Sequence, residues 1–358
     1  MIDCGFPIIK YRIGDSPIQW GRAHGEAFRD GIKELVEIRT GLMREKNAGL
    51  TIEHIGSLAR KQWDITEQFD KQLTDELMGI CEGANISITD IVILNNYTDF
   101  RDIQVPDQGC SLVYVNSEAG PVVGQTWDMH GSAKNYVCCI EVPEPNEGQI
   151  VLFSVVGCVG MMGFNRRRGM LGVNNINTDG AQAGALWPAI VRASLQQASV
   201  GEMASTLTKS PKTSGHNYLI AVDDHAQMWE VAPGCNDMVD EKTPKQFGHM
   251  FHTNHCLGES MQKRETAISQ NSTTHIRFDL LSKKVAETKS FEQMVALMND
   301  HEGYPKSICS NFQTDAQDPS ITCGGAVGNL KTGQVMMWRG DKLYDKNYVQ
   351  QSFNMSGG

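Results

Sequence analysis

An abrupt change in hydrophobic spacing close to residue 109 constrains the fold more than any other feature of this sequence. Upstream of it, apolar side chains recur at helical intervals through residues 19–46 and 52–82. Ser87 and Asp90 then have the spacing of a capping box ahead of another apolar run. We therefore expect residues 19–100 to be largely helical.

Downstream of the turn-forming residues 106–109, the chain changes to short runs rich in β-branched side chains and separated by glycines. The strands expected from these runs lie at 111–115, 121–127, 136–142, 149–156, 170–175, 217–222, 227–231 and 248–253. Helical spacing returns at 186–197, 205–209, 277–284 and 291–300, and a hairpin over 326–339 closes the chain. Strands followed by helices, twice over, predict two antiparallel sheets covered by helices, which is an α+β fold.

Composition and charge restrict the class of protein further. Hydrophobic residues make up 40% of the chain and charged residues 21%, so a globular core is expected. The net charge of −10 argues against nucleic-acid binding. The sequence has no run of 18 apolar residues and no secretion signal, and none of its 10 cysteines forms a C-x-x-C motif. These features predict a cytoplasmic protein with reduced thiols and no membrane contact.

Gly109 and Cys110 lie where the turn meets the first of these strands. Glycine adopts backbone angles that other residues avoid, so the peptide bond between the two residues can be distorted. The Cys110 thiol could then attack the Gly109 carbonyl, and hydrolysis of the thioester would free Cys110 as a new N-terminus. Its α-amino group, with a reference pKa of about 8, would serve as general base for its own thiol. The alternative at this point is a buried structural cysteine at the start of a strand.

Two polar residues at the ends of other expected strands favour the catalytic interpretation. Asp128 lies eighteen residues after Cys110, and a hairpin of that length would bring its carboxylate beside the thiol. A carboxylate there can hold an ammonium group or orient a substrate. Asn254 follows the strand expected at 248–253, and an asparagine amide is a suitable donor to an oxyanion.

An ordered set of short motifs resembles the acyl-coenzyme A:6-aminopenicillanate acyltransferase family of N-terminal-nucleophile cysteine hydrolases. The set comprises Glu76–Ala84, Leu94–Asn96, Gly109–Cys110, Trp127–Asp128, Gly163–Asn165, Gly180, His216–Leu219, Thr253–His255 and Ser307–Cys309. Each motif is common by itself, but their order along most of the chain is specific to the family.

This resemblance implies a four-layer αββα sandwich with a helical N-terminal pro-segment. It implies self-cleavage ahead of Cys110 into fragments 1–109 and 110–358, which stay associated as a heterodimer. Cys110 would be the nucleophile, Asp128 an assisting and orienting group, and Asn254 the oxyanion donor. The substrate would be a small N-acyl compound, with a coenzyme A thioester as one conceivable acyl donor. No organic cofactor is implied, and homo-oligomer formation is left open.

Several further residues are expected at the rim of the site or against the substrate. They are Trp127, His130, Asn175, Asn217, His252, His255 and Ser310. Ser310 stands where many relatives are expected to carry arginine, so a different substrate shape is expected. His249, His252, His255 and Cys256 together suggest zinc, but their spacing fits no standard ligand pattern, so we expect no metal.

Two alternatives remain open from the sequence. In the first, the chain is not cleaved, and Cys110 pairs with His252 or His130 as an ordinary Cys–His hydrolase. In the second, the protein keeps the fold as a non-catalytic binding relative.

Overall fold

The computed structural model describes residues 1–46, 49, 51–102, 109–144, 148–267, 272–311, 318 and 320–355. The turn expected at 106–108 lies outside these residues, whereas Gly109 and Cys110 lie within them. In the described part of the chain, no single helix is long and apolar enough to cross a membrane. Lys71–Ala84 and Ile88–Asp99 meet that test only as a pair, with a bend of 119° between them.

The N-terminal region is largely helical, as its apolar spacing predicts. Its helices are α1 (Pro17–Ala27), α2 (Arg29–Lys46), α3 (Ile52–Phe69), α4 (Lys71–Ala84) and α5 (Ile88–Asp102). The Ser87 hydroxyl accepts the Asp90 amide at 3.2 Å, and the Asp90 carboxylate accepts the Ser87 amide at 2.9 Å. These two bonds confirm the capping box at the start of α5.

The rest of the secondary structure follows in alternating groups of strands and helices. The strands are β1 (Ile8–Lys10), β2 (Leu112–Ser117), β3 (Gly120–His130), β4 (Val137–Pro143), β5 (Gln149–Val155), β6 (Met162–Asn165), β7 (Gly169–Asn175), β8 (His216–Val222), β9 (His225–Ala232), β10 (Cys235–Lys242), β11 (Gly248–His252), β12 (Ser320–Asn329), β13 (Gln334–Arg339) and β14 (Val349–Asn354). The remaining helices are α6 (Trp187–Leu195), α7 (Val200–Lys209), α8 (Glu259–Gln262), α9 (Thr274–Lys284) and α10 (Phe291–Met298).

The strands form two sheets. Sheet A has the order β1-β4-β5-β6-β7-β8-β9-β10, and sheet B has the order β11-β2-β3-β12-β13-β14. Neighbouring strands are antiparallel, except that β1 pairs with β4 in parallel. Strands β1, β6, β10 and β14 were not among those that the sequence predicts.

Side chains on β2 show how the sheets stack, because successive residues of a strand point to opposite faces. Leu112 and Tyr114 belong to the core between the sheets, whereas Val113 and Val115 pack in a second core with helix α10. Helices α6 and α7 pack on sheet A, and α9 and α10 on sheet B. The expected four-layer αββα sandwich is therefore confirmed.

The N-terminal region is built into this sandwich rather than laid over it. Strand β1, which precedes the stretch 19–100 that was expected to be largely helical, joins the edge of sheet A. Glu76 of α4 forms a fully buried ion pair with Arg192 of α6 at 3.0 Å, and it also accepts the Tyr11 hydroxyl at 2.7 Å. Breaking such a buried pair is costly, because it leaves a charge without a partner.

Candidate active site

Cys110 lies two residues before the start of strand β2 and is almost completely buried. Its backbone N–H donates to Asn254 Oδ1 at 2.8 Å, and its carbonyl accepts from Arg277 Nη1 at 2.6 Å. Asn254 follows strand β11, which pairs with β2, and Arg277 lies on helix α9. The backbone on both sides of the Cys110 Cα is therefore fixed by side chains that are distant in sequence.

The β2–β3 hairpin brings Asp128 back to the start of β2, as its spacing from Cys110 predicts. A Cβ atom placed on Gly109 would lie 3.1 Å from Asp128 Oδ2. The carboxylate accepts the hydroxyl of Thr322 at 2.7 Å and that of Ser310 at 3.2 Å. Burial raises the pKa of Asp128 to about 6, although Arg277 and these hydroxyls act in the opposite direction.

Asn254 is held by three neighbours besides Cys110. Its backbone N–H donates to Thr274 Oγ1 at 2.7 Å, and its side-chain Nδ2 donates to the carbonyl of Asn175 at 2.8 Å. Its Oδ1 accepts from Arg277 Nη2 at 2.8 Å. The amide therefore presents an acceptor to the Cys110 nitrogen and retains a second Nδ2 hydrogen that can be donated to an oxyanion.

Arg277 is the functional candidate that sequence reasoning missed. It is fully buried, and its guanidinium donates to Cys110 O, to Asn254 Oδ1 and, at 3.1 Å, to Ser111 Oγ. In the sequence it is one more basic residue in the first turns of an expected helix, and no local pattern distinguishes it. Its role follows only from the packing of α9 against β11, which sets the guanidinium between Cys110 and Asn254.

The Cys110 thiol is not activated in this arrangement. Burial, followed by the negative charge of Asp128, raises its pKa to about 12, while the backbone N–H of Asp128 and the charge of Arg277 lower it less. The thiol is consequently protonated near neutral pH. Nucleophilic attack requires a base close to the sulfur, because the thiolate is the reactive form.

Cys110 faces a narrow pocket with a cavity volume of about 40 Å³. Trp127 and Asn175 line it, as the sequence predicts, together with Asp128 and Asn254. The apolar part of the remaining wall comes from Met129, Met161, Met162 and Val173. Gln125, Thr98, Trp187 and His216 also line the pocket, and of these the sequence analysis named only His216, as part of a family motif. Methionine side chains are flexible, so this wall can adapt to an acyl group larger than the cavity.

Four residues expected at the rim do not line this pocket. His252 is buried against Glu230 at 2.7 Å, and Asn217 lies in register with Glu230 on the neighbouring strand. His255 hydrogen-bonds the Thr274 hydroxyl at 2.9 Å, and His130 hydrogen-bonds the Ser132 hydroxyl at 2.7 Å. His130, Asn217, His252 and His255 therefore do not line the Cys110 pocket. Each strand alternates its side chains between faces, and spacing alone did not reveal which face meets the pocket.

Ser310 contacts a pocket residue but does not itself line the pocket. Its hydroxyl donates to Asp128 Oδ2, so it acts on the carboxylate and not on a substrate in this structure.

The Cys–His alternative loses its two candidate bases in this geometry. Both ring nitrogens of His252 are hydrogen-bonded: Nε2 to Glu230 Oε1 and Nδ1 to the Thr253 carbonyl, each at 2.7 Å. His130 lies against Ser132 and Asp318, 3.4 Å from the latter carboxylate. Neither of them lines the pocket with Cys110.

One group of three residues in the described chain has the composition of a metal site. His301, Cys309 and Asp341 place their ligand atoms within 4.8 Å of one another. His301 Nε2 already hydrogen-bonds Asp341 at 2.9 Å, and the group shares no residue with the Cys110 pocket.

Comparison with known proteins identifies the family of the chain. The sequence profile of the acyl-coenzyme A:6-aminopenicillanic acid acyl-transferase family matches residues 115–335, which is more than half of the chain. The chain belongs to this family. It is 26% identical, over 306 residues, to the acyl-coenzyme A:6-aminopenicillanic-acid-acyltransferase 40 kDa form of Emericella nidulans, with 83% of each sequence covered.

Two solved structures align with this chain. A variant of conjugated bile acid hydrolase from Clostridium perfringens has a TM-score of 0.43 and 10% identity, covering 69% of this chain and 92% of that one. Penicillin V acylase from Agrobacterium tumefaciens has a TM-score of 0.42 and 14% identity, covering 69% and 88%.

Proposed function

We propose that this family member is a self-processing N-terminal-cysteine enzyme that cleaves or transfers small N-acyl groups. Cleavage between Gly109 and Cys110 would divide the chain into fragments 1–109 and 110–358. The observation that carries the proposal is the hydrogen bond from the Cys110 backbone N–H to Asn254 Oδ1. After cleavage this nitrogen would be the free α-amine, and Asn254 would already hold it beside the thiol.

The processing step uses groups that already surround Gly109. The Cys110 sulfur attacks the Gly109 carbonyl carbon, the C–N bond breaks, and the chain becomes a thioester that water hydrolyses. Asp128 accepts the thiol proton, since its carboxylate lies beside Gly109 and its pKa of about 6 leaves it ionised at neutral pH. The expelled nitrogen takes up a proton and becomes the amino group of Cys110.

The mature enzyme would use the same residues on an external substrate. The α-amine of Cys110 takes the proton from its own thiol, and the thiolate attacks an amide or thioester carbonyl. Asn254 Nδ2 donates its second hydrogen to the oxyanion, which is the kind of contact worth about 100- to 1000-fold in rate. Water or an amine then resolves the acyl-enzyme. A coenzyme A thioester is a fitting acyl donor, given the activity named for the Emericella nidulans relative.

The contacts across the cleavage site support a stable pair of fragments. The N-terminal fragment would keep its buried ion pair with Arg192, its strand β1 in sheet A, and the bond from Gly157 N to His24 Nε2 at 2.9 Å. These contacts do not depend on the Gly109–Cys110 peptide bond.

Intact-protein mass spectrometry of freshly purified protein tests this proposal. The wild type should give fragments 1–109 and 110–358, and Cys110→Ala should give one uncut chain. Cys139→Ala is the matched control, because Cys139 is also buried but lies on β4, outside the pocket. Identical masses for wild type and Cys110→Ala, apart from the substitution, would overturn self-processing.

A further inference from the structure

The pocket contains a histidine that the mechanism above does not use. His216, the first residue of β8, lines the pocket with Cys110 and is almost fully buried. Its Nε2 lies 3.4 Å from Asp99 Oδ1, and Asp99 also accepts the Ser214 hydroxyl at 2.9 Å. Asp99 lies on α5, so a carboxylate from the N-terminal segment orients an imidazole in the pocket.

The strand register places His216 close to the reacting groups. His216 is the cross-strand partner of Asn175, whose carbonyl accepts from Asn254 Nδ2. Directly paired residues on antiparallel strands have Cα atoms about 4.5–5.5 Å apart. Asn254 in turn binds the Cys110 nitrogen. The imidazole and the thiol are therefore linked through two intervening residues, Asn175 and Asn254, and both side chains line the same pocket.

Trp187 adds an unused hydrogen-bond donor beside this histidine. The two ring centroids are 6.0 Å apart, and both side chains line the pocket. Trp187 is 8% exposed, and its Nε1–H has no partner among the residues that the structure describes. A buried donor without an acceptor is unfavourable, so this N–H is suited to an oxygen of a bound molecule.

We propose that Asp99, His216 and Trp187 form a subsite for the amine partner of the reaction. This inference rests on the proposed function and concerns the second half of it. The amine nitrogen of the acceptor attacks the acyl-thioester carbon of Cys110, and the C–S bond breaks. His216 takes the proton that the nitrogen loses, and that proton then passes to the Cys110 thiolate. Asp99 positions the imidazole, and Trp187 donates to a carbonyl or carboxylate oxygen of the acceptor.

The test separates acylation of Cys110 from transfer to an amine. Processed protein is mixed with p-nitrophenyl acetate, and the nitrophenolate burst reports acylation. Glycinamide or n-propylamine is then added, and the ratio of N-acetyl amine to acetate reports transfer over hydrolysis. Glycinamide carries the carbonyl that Trp187 would bind, and n-propylamine does not.

His216→Asn should leave the burst within about twofold of wild type and lower the transfer ratio by at least about 100-fold, the lower end of the range for a lost acid–base group. Asp99→Asn should lower the same ratio by a smaller factor without changing the burst. Trp187→Phe should lower the preference for glycinamide over n-propylamine by about fivefold, the value of one hydrogen bond. His225→Asn is the control, because His225 has a similar carboxylate partner, Glu241, at 2.9 Å but lies outside the pocket.

A normal burst with an unchanged transfer ratio in both His216→Asn and Asp99→Asn would overturn this inference and leave the proposed function intact. If His216→Asn does not fold, as judged by its melting temperature, the ratio in Asp99→Asn decides. A wild-type protein without a burst would overturn the proposed function itself, and this inference with it.

Discussion

Replacing Gly109 with alanine introduces a methyl group where the structure has no room for it. The added Cβ would lie 2.5 Å from Arg277 Nη2 and 2.9 Å from Arg277 Cζ. The guanidinium cannot simply retreat, because it is bound to Cys110 O, Ser111 Oγ and Asn254 Oδ1. Relieving the contact requires a shift of about 1 Å, since carbon and nitrogen pack at about 3.5 Å.

The magnitude follows from the bonds that this shift weakens. Hydrogen bonds to a charged group contribute about 1.5–3 kcal/mol each, so losing one of the three slows a step that depends on it by about 10- to 100-fold. We therefore expect Gly109→Ala to be cleaved about 10 to 100 times more slowly, which corresponds to an increase of about 1.5–3 kcal/mol in the activation free energy of cleavage. The fold should persist, because Gly109 contributes no packed side chain.

The assay follows the uncut chain and the fragment 110–358 by gel electrophoresis and mass spectrometry after expression at low temperature. Gly41→Ala is the control, because a Cβ atom there meets nothing within 4 Å. Processing of Gly109→Ala at the wild-type rate would refute the claim that Arg277 and Gly109 are packed together for cleavage.

Three further predictions concern Arg277, Asp128 and Glu76. Arg277→Met should fold but process at least about 100-fold more slowly, as two or more charged hydrogen bonds are lost; cleavage at the wild-type rate would contradict this. Because burial raises the pKa of Asp128 to about 6, the folded protein is more stable when the Asp128 carboxyl group is protonated. The unfolding free energy of wild type relative to Asp128→Asn should therefore fall by about 3 kcal/mol as the pH rises from about 3.5 to about 7. A pH-independent difference in urea titrations would exclude the raised pKa. Glu76→Gln should cost about 3–5 kcal/mol in the same titrations, because it leaves buried Arg192 without its counter-ion. Glu82→Gln, at the exposed pair with Arg22, should cost much less, and equal losses would count against this account of the buried pair.

Hydrophobic spacing predicted most of the helices, and runs of β-branched residues predicted the central strands, which are buried on both faces. These patterns missed β10 and β14, which are edge strands with many polar side chains at intermediate or exposed positions. They also missed β1 and β6, which are too short to show a period. β1 could not be foreseen for a further reason, since its pairing with β4 joins residues more than a hundred positions apart.

The candidate site was predictable only where chemistry is concentrated in local motifs. Gly109, Cys110, Asp128 and Asn254 stand at strand ends in short recognisable patterns, and the structure brings them together. Arg277 stands alone among the basic residues of a helix, and its contacts with Cys110 and Asn254 arise from tertiary packing.

The same limit applies to the far side of the pocket. Asp99 and His216 are separated by more than a hundred residues, and only the packing of α5 over the pocket joins them. His252 shows the opposite case. Its position next to the Thr253–His255 motif suggested a place near the thiol, but its side chain hydrogen-bonds Glu230 and does not line the pocket.

The most direct test of the central claim asks whether Cys110 carries both a free amine and a free thiol. A cyanobenzothiazole reagent condenses only with a 1,2-aminothiol, so it distinguishes an N-terminal cysteine from the other cysteines of the chain. Treating purified protein with this reagent should label the fragment 110–358 once, at Cys110, and should abolish acylation by p-nitrophenyl acetate. A full-length chain that takes up no label while it still acylates would show that Cys110 does not act as an N-terminal nucleophile.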